Sequence, residues 1–146
     1  MIDEFENEYA FLSNFYPSPF EHEGIVYPTN EHFFQAMKTL NIQERKAIAA
    51  AETPGKAKRM GRNVSLRPDW EKIKVYVMLE GLRLKFADPT LAQKLIDTGD
   101  EELIEGNWWH DNTWGSCYCS DCINKPGRNM LGIILMELRK ELQYNE

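Results

Sequence analysis

Glu31, Gln35 and Lys38 fall within one short segment, Glu31-His32-Phe33-Phe34-Gln35-Ala36-Met37-Lys38. In a helix, Gln35 would lie ~40° and Lys38 ~20° from Glu31 around the axis. A carboxylate, an amide and an amine would then share one stripe of an otherwise apolar helix, with Phe33, Phe34 and Met37 as walls. Apolar surroundings push a carboxyl pKa up and a lysine pKa down, as acid/base or nucleophilic work near neutral pH requires. The same three residues also make an ordinary solvated ladder of surface pairs.

Three further segments carry candidate chemistry. Thr53-Pro54-Gly55-Lys56-Ala57-Lys58-Arg59-Met60-Gly61-Arg62 is strongly basic, which suits either a local phosphate site or a solvated helix face. The spacing of a P-loop is absent. Glu105-Gly106-Asn107-Trp108-Trp109-His110-Asp111-Asn112-Thr113-Trp114-Gly115 sets three tryptophans beside polar groups. Such a loop suits stacking of a flat heterocycle, while at least one of the tryptophans is expected to plug the core. Cys117, Cys119 and Cys122, with His110 upstream, could form a Cys3His zinc site or remain free cytosolic thiols. His22 and His32 lack a plausible triad partner, and no G-x-S-x-G elbow is present.

These residues must be positioned by a chain of 146 residues with a net charge of −6, which fits a single domain over residues 1–146. No apolar run approaches a membrane span, and the acidic N-terminus is not a secretory signal. Three cysteines are too few for a disulfide framework, so a cytoplasmic location is expected. The acidic balance argues against a broad nucleic-acid or membrane-surface binder but leaves room for a local basic pocket.

Residues 11–20 read as extended chain with turns because of Pro17 and Pro19, and 24–27 as a short strand. Helices are expected from Glu31 to about Leu40 with Asn30 as cap, from Gln43 to Ala51, and from Pro54 to Met60 after a Thr53 cap. Further helices are expected from Trp70 to Phe86 with Asp69 as cap, after Asp88-Pro89 to near Gly99, and from Arg128 to Leu142. In the Trp70 helix the apolar stripe is expected at Ile73, Val77 and Leu84, flanked by Val75, Leu79 and Leu82. In the last helix it is expected at Met130, Leu131, Ile134, Leu135 and Leu138. Residues 105–127 read as irregular. The fold class is mainly α, an α+β domain with a small N-terminal β element.

Several separated segments together resemble the NADAR, or YbiA-like, domain family. They are Phe11-Leu12-Ser13-Asn14-Phe15-Tyr16, Pro19-Phe20, Tyr27-Pro28-Thr29-Asn30 through Lys38, Ala57 through Arg62 with Trp70, Asp111-Asn112-Thr113-Trp114-Gly115, and Gly127-Arg128-Asn129-Met130-Leu131-Gly132 through Arg139. The order and spacing match over nearly the whole chain. The resemblance implies a mainly helical N-glycosidase that needs no metal cofactor and cleaves a ribose C1′–nitrogen bond. The substrates it implies are ribosylaminopyrimidine phosphates of riboflavin biosynthesis or ADP-ribose attached to guanine. The partner is thus a small N-riboside or ADP-ribosyl conjugate, or a modified nucleic acid, and not a membrane.

Carried over by position, the resemblance makes Glu31, Lys38 and Asp111 the catalytic candidates. Asn14, Phe15, Gln35, Lys56, Arg62, Trp70, Trp114 and Asn129 become substrate-binding or supporting residues. The segment from Cys117 to Cys122 is outside the general pattern and leaves a structural zinc, with His110, as an open question. Two other functions compete: a module that binds ADP-ribose without cleaving it, and a zinc-stapled interaction protein.

Overall fold

The computed structural model describes residues 1–145 and shows an α+β fold. The chain divides into two compact units, one formed by residues 14–86 and one by residues 1–13 with the chain from 87 onward. Among the described residues no helix is long and apolar enough to cross a membrane.

The 14–86 unit starts with a hairpin. Strand β1 (Phe20–His22) pairs antiparallel with β2 (Ile25–Tyr27), Phe20 opposite Tyr27. Glu23 and Gly24 both take positive φ, 50° and 82°, the conformation that a tight two-residue hairpin needs. Helix α1 (Asn30–Ala36) follows, with α2 (Ile42–Ala49), α3 (Pro54–Met60), a 3-10 turn at Gly61–Asn63 and α4 (Trp70–Lys85). Helices α2, α3 and α4 all pack on α1, and every residue of α1 is buried. Close approach is possible because α4 presents Gly81: a Cβ there would stand 1.9 Å from Asn30 Oδ1 and 2.8 Å from Phe33.

Several boundaries differ from expectation for identifiable reasons. The cap of α1 is Thr29, not Asn30; the Thr29 hydroxyl accepts the His32 amide at 3.2 Å. The helix ends at Ala36 instead of near Leu40. Lys38 and Thr39 turn away to pair with Leu66 and Arg67: Lys38 O accepts the Arg67 amide at 2.8 Å, and Thr39 forms an isolated bridge with Leu66. Asp69 sits at the cap position of α4 but makes no capping bond. Its carboxylate is engaged by the Arg67 guanidinium at 2.7 and 3.2 Å. The buried face of α4 is Trp70, Val77, Met78, Gly81, Leu82 and Lys85, so Ile73, Val75, Leu79 and Leu84 lie at its margin or outside.

The other unit opens with a 3-10 helix, Asn7–Leu12, where extended chain was expected from Phe11. Helix α5 (Pro89–Asp97) is capped by Asp88 as its sequence predicts. Strands β3 (Gly106–Asn107) and β4 (Ser116–Cys117) form a two-residue parallel pair. Helix α6 (Met130–Tyr144) packs on α5 through Leu131, Ile134, Leu135 and Leu138, and Ile2 bridges Leu103. It begins two residues later than expected, because Asn129 is left-handed (φ 51°).

Lys85 was not expected in the core, yet it is 2% exposed with its ammonium over the Tyr16 and Phe86 rings at 5.8 and 5.2 Å. Burial brings its pKa down to about 7 from an ordinary value of 10.5. The folded value lies below the unfolded one. Between about pH 7 and 10.5 the unfolded chain therefore binds the extra proton, and stability rises with pH. Urea unfolding should show this upward slope from neutral to alkaline pH. Lys85→Met should lose the slope.

Candidate active site

The 14–86 unit gathers a carboxylate, an amide and an amine around α1. Glu31, in the first turn, is 7% exposed. Gln35, one turn later, donates from Nε2 to Glu31 Oε1 at 2.8 Å. The Gln35 amide is held against Gly61, where a Cβ would stand 1.9 Å from Gln35 Oε1. That oxygen is buried and accepts no hydrogen bond among the described residues.

Lys38 lies beyond the end of α1, so the expected helical stripe breaks before it. The turn nevertheless keeps it near Glu31, since Lys38 N donates to Gln35 O at 3.2 Å. Burial lowers the pKa of the half-buried Lys38 amine; the Glu31 carboxylate raises it, and the charges of Arg62, Lys58 and Lys74 lower it further. The net direction is down, which increases the share of free amine at neutral pH.

Asn14 is stitched to the same helix start. Its carbonyl accepts the Glu31 amide at 3.1 Å and its Oδ1 accepts Asn30 Nδ2 at 2.9 Å. Phe15, the next residue, is 43% exposed and has ring surface to offer. Trp70 is only 7% exposed and packs edge-on to Phe34 at 5.0 Å, so it supports the wall rather than presenting a stacking face. Of the basic segment, Lys58 and Arg62 act on Lys38, whereas Lys56 is exposed on the first turn of α3 and is not among the charges that shift it. His32 is a packing residue. Its ring meets Thr29 Oγ1 at 2.8 Å and Ala51 O at 3.0 Å, and burial lowers its pKa against the opposing effect of the Ala51 carbonyl. His22 pairs with Glu80 at 3.0 Å.

Asp111, Trp114 and Asn129 belong to the other unit, and within it they build a loop. Asp111 Oδ1 accepts the amides of Thr113 and Trp114 at 3.1 and 2.9 Å. The carbonyls of residues 112–115 accept the amides of residues 128–131, which gives the start of α6 backbone partners. Asn129 braces the 103–105 chain: its Oδ1 accepts the Glu105 amide at 3.0 Å and its Nδ2 donates to Leu103 O at 2.9 Å. Asn107, fully buried, spans Asp111 from both sides at 2.8 and 3.1 Å; its burial inside a polar loop left no periodic signal in the sequence. The expectation that a loop tryptophan fills the core is not met. Trp108 and Trp109 are 65% and 59% exposed, and Trp114 is half-buried. Trp108 instead packs edge-on to Tyr118 at 6.2 Å.

The same loop brings His110, Cys117, Cys119 and Cys122 together, with one donor atom from each within 4.8 Å of all the others. Burial pushes the Cys117 thiol up, but hydrogen bonds from the Cys119 and His110 amides and the neighbouring thiols outweigh it and bring the value to about 7.

A family model described as NADAR domain matches residues 2–143. The chain is 40% identical to the N-glycosidase YbiA of Shigella flexneri, over 93% of this chain and 83% of that protein. It is 38% identical to a riboflavin biosynthesis protein of Vibrio vulnificus over 94% of this chain, which is 37% of that longer protein. The NMR structure of the E. coli protein YbiA superposes with a TM-score of 0.80 at 36% identity, covering 99% of this chain and 88% of the other.

The contact between Gly61 and Gln35 is testable without any substrate. Gly61→Ala should lose roughly 1–3 kcal/mol in urea unfolding by forcing the amide aside. Gly61→Ala combined with Gln35→Ala should lose clearly less than the sum of the two single changes. Additive losses would contradict the contact.

Proposed function

This chain belongs to the NADAR domain family, and from that premise we propose a cytoplasmic N-glycosidase whose chemistry centres on Glu31 and Lys38 and whose substrate is a phosphorylated N-riboside of a pyrimidine-like base. Hydrolysis of N-glycosyl bonds is the activity named for its YbiA relatives. The observation that carries the residue assignment is the buried Glu31 carboxylate, fixed by Gln35, beside a lysine whose pKa is lowered by burial.

In this reading the C1′–O4′ bond opens first, the ring oxygen taking a proton from Glu31 and the base nitrogen forming an iminium with C1′, and Lys38 then attacks C1′ as a free amine. A bond forms from Lys38 Nζ to C1′ and the bond from C1′ to the base nitrogen breaks. The base leaves as a neutral amine after receiving a proton relayed by Glu31. Water then hydrolyses the lysine imine, releasing the sugar aldehyde and restoring the amine. Phe15 offers a ring face to the base, with Trp70 as backing. Lys58 and Arg62, whose charges reach Lys38, supply the phosphate site; the exposed Lys56 takes a peripheral part. Asp111, Trp114 and Asn129 enter as residues that build the loop of their own unit.

Riboflavin intermediates rank first as substrates because relatives from Vibrio vulnificus and Zea mays carry riboflavin biosynthesis names. ADP-ribosylated guanine ranks second, since a chain of charge −6 approaches a polynucleotide poorly. Binding of ADP-ribose without cleavage is less favoured, because a pure binder has no use for a buried carboxylate that would repel an anionic ligand.

Incubation with a ribosylaminopyrimidine phosphate should release free base. Borohydride added during turnover should leave a sugar adduct on Lys38, with a yield that rises with pH as the amine loses its proton. Lys38→Ala should abolish adduct and turnover, and Glu31→Gln should slow turnover by about 10²–10⁴-fold. Full activity of Lys38→Ala would rule out the covalent route.

A further inference from the structure

We propose that His110, Cys117, Cys119 and Cys122 bind one zinc ion in a closed structural site that staples the loop between β3 and α6. The proposal rests on the donor atoms and is independent of the glycosidase chemistry.

The four donor atoms converge, and the nitrogen-to-sulfur distances are those of a tetrahedral site. His110 Nδ1 stands 3.4 Å from Cys119 Sγ, 3.4 Å from Cys122 Sγ and 3.9 Å from Cys117 Sγ. Zinc bound at about 2.3 Å to sulfur and 2.0–2.1 Å to nitrogen requires N···S edges of about 3.6 Å and S···S edges of about 3.8 Å. Hydrogen bonding does not account for the arrangement. Nδ1 carries at most one proton, so it serves one sulfur as donor, yet three sulfurs converge on it. A disulfide would engage only two of the three, and all three are free thiols.

Surrounding groups are arranged for thiolates. The amides of His110 and Cys119 point at Cys117 Sγ, at 3.4 and 3.5 Å. Asn112 Nδ2 stands 3.5 Å from Cys122 Sγ, and Asn112 Oδ1 accepts the Cys117 amide at 2.9 Å. Such N–H···S contacts orient the ligands and offset thiolate charge. The backbone delivers the four residues from fixed positions. Cys117 lies in β4, and a tight turn with Cys122 N on Cys119 O at 3.0 Å carries the last two. His110 holds an uncommon left-handed φ of 67°, which turns its ring toward the thiols. Four protein ligands leave no open position, so the ion would hold structure and not activate water. Three sulfurs and one nitrogen in a tetrahedron favour zinc over harder cations.

The test uses the full chain purified without chelator. Elemental analysis should find one zinc per chain, and exchange with cobalt should produce thiolate charge-transfer bands together with the intense visible bands of a tetrahedral centre. Cys122→Ser and His110→Ala should each lose the metal or weaken it so that a mild chelator removes it, while the three wild-type thiols should resist thiol reagents until chelator is added. Three results would overturn the proposal. One is a folded wild-type chain that takes up neither zinc nor cobalt. Another is zinc retained by the Cys119→Ser/Cys122→Ser double variant. The third is a disulfide between two of the cysteines in the purified native chain.

Discussion

A short helix that is buried on every side and yet polar governs the 14–86 unit. Asn30, Glu31, His32 and Gln35 of α1 are all shielded from solvent. Each polar group would cost about 1–3 kcal/mol if left without a partner, and surrounding segments meet most of them, Asn30 Oδ1 and Gln35 Oε1 excepted among the described residues. Asn14 answers Asn30 with its side chain and Glu31 with its carbonyl. Thr29 and Ala51 hold the His32 ring. Gln35 holds Glu31. Neighbouring helices can come this close only where they show glycine, Gly81 on α4 and Gly61 just after α3.

That constraint sets the electrostatics around Lys38. Burial alone would drive Lys38 toward its neutral form and a carboxylate toward its protonated form. The two groups act on each other in the opposite sense, since the Glu31 charge raises the Lys38 pKa while the cations of Lys58, Arg62 and Lys74 lower it. The amine is thus tuned by a balance of one nearby anion against burial and three cations. A bound phosphate would add negative charge to the same balance.

Elements with local signals were legible in the sequence. Thr53-Pro54 and Asp88-Pro89 begin helices as predicted because a capping side chain and an N1 proline act within a single turn. The last helix showed most of its buried stripe through its period, although Met130 is only half-buried and Arg139 joins the buried face. The failures arise where distant chain competes with local preference. Thr29 and Asn30 are both good caps, and packing chose between them. The end of α1 is set by pairing with Leu66 and Arg67, and Asp69 is taken over by Arg67. Lys85 reads as a surface lysine, and only the fold encloses it. At the site, the helical period brought Glu31 and Gln35 together. Lys38 joined them through the turn that ends the helix, while Gly61 carried no sequence signal for its contact with Gln35.

The lowered pKa of Lys38 in the opposing field of Glu31 underlies the whole site. It is tested most directly by following the Lys38 side chain alone in a pH titration by NMR, with its Cε and Nζ assigned through a Lys38→Arg control. The expected outcome is a midpoint below the ordinary lysine range, moving lower still in Glu31→Gln as the one favourable charge is removed. An ordinary midpoint, or one that Glu31→Gln leaves in place, would contradict it.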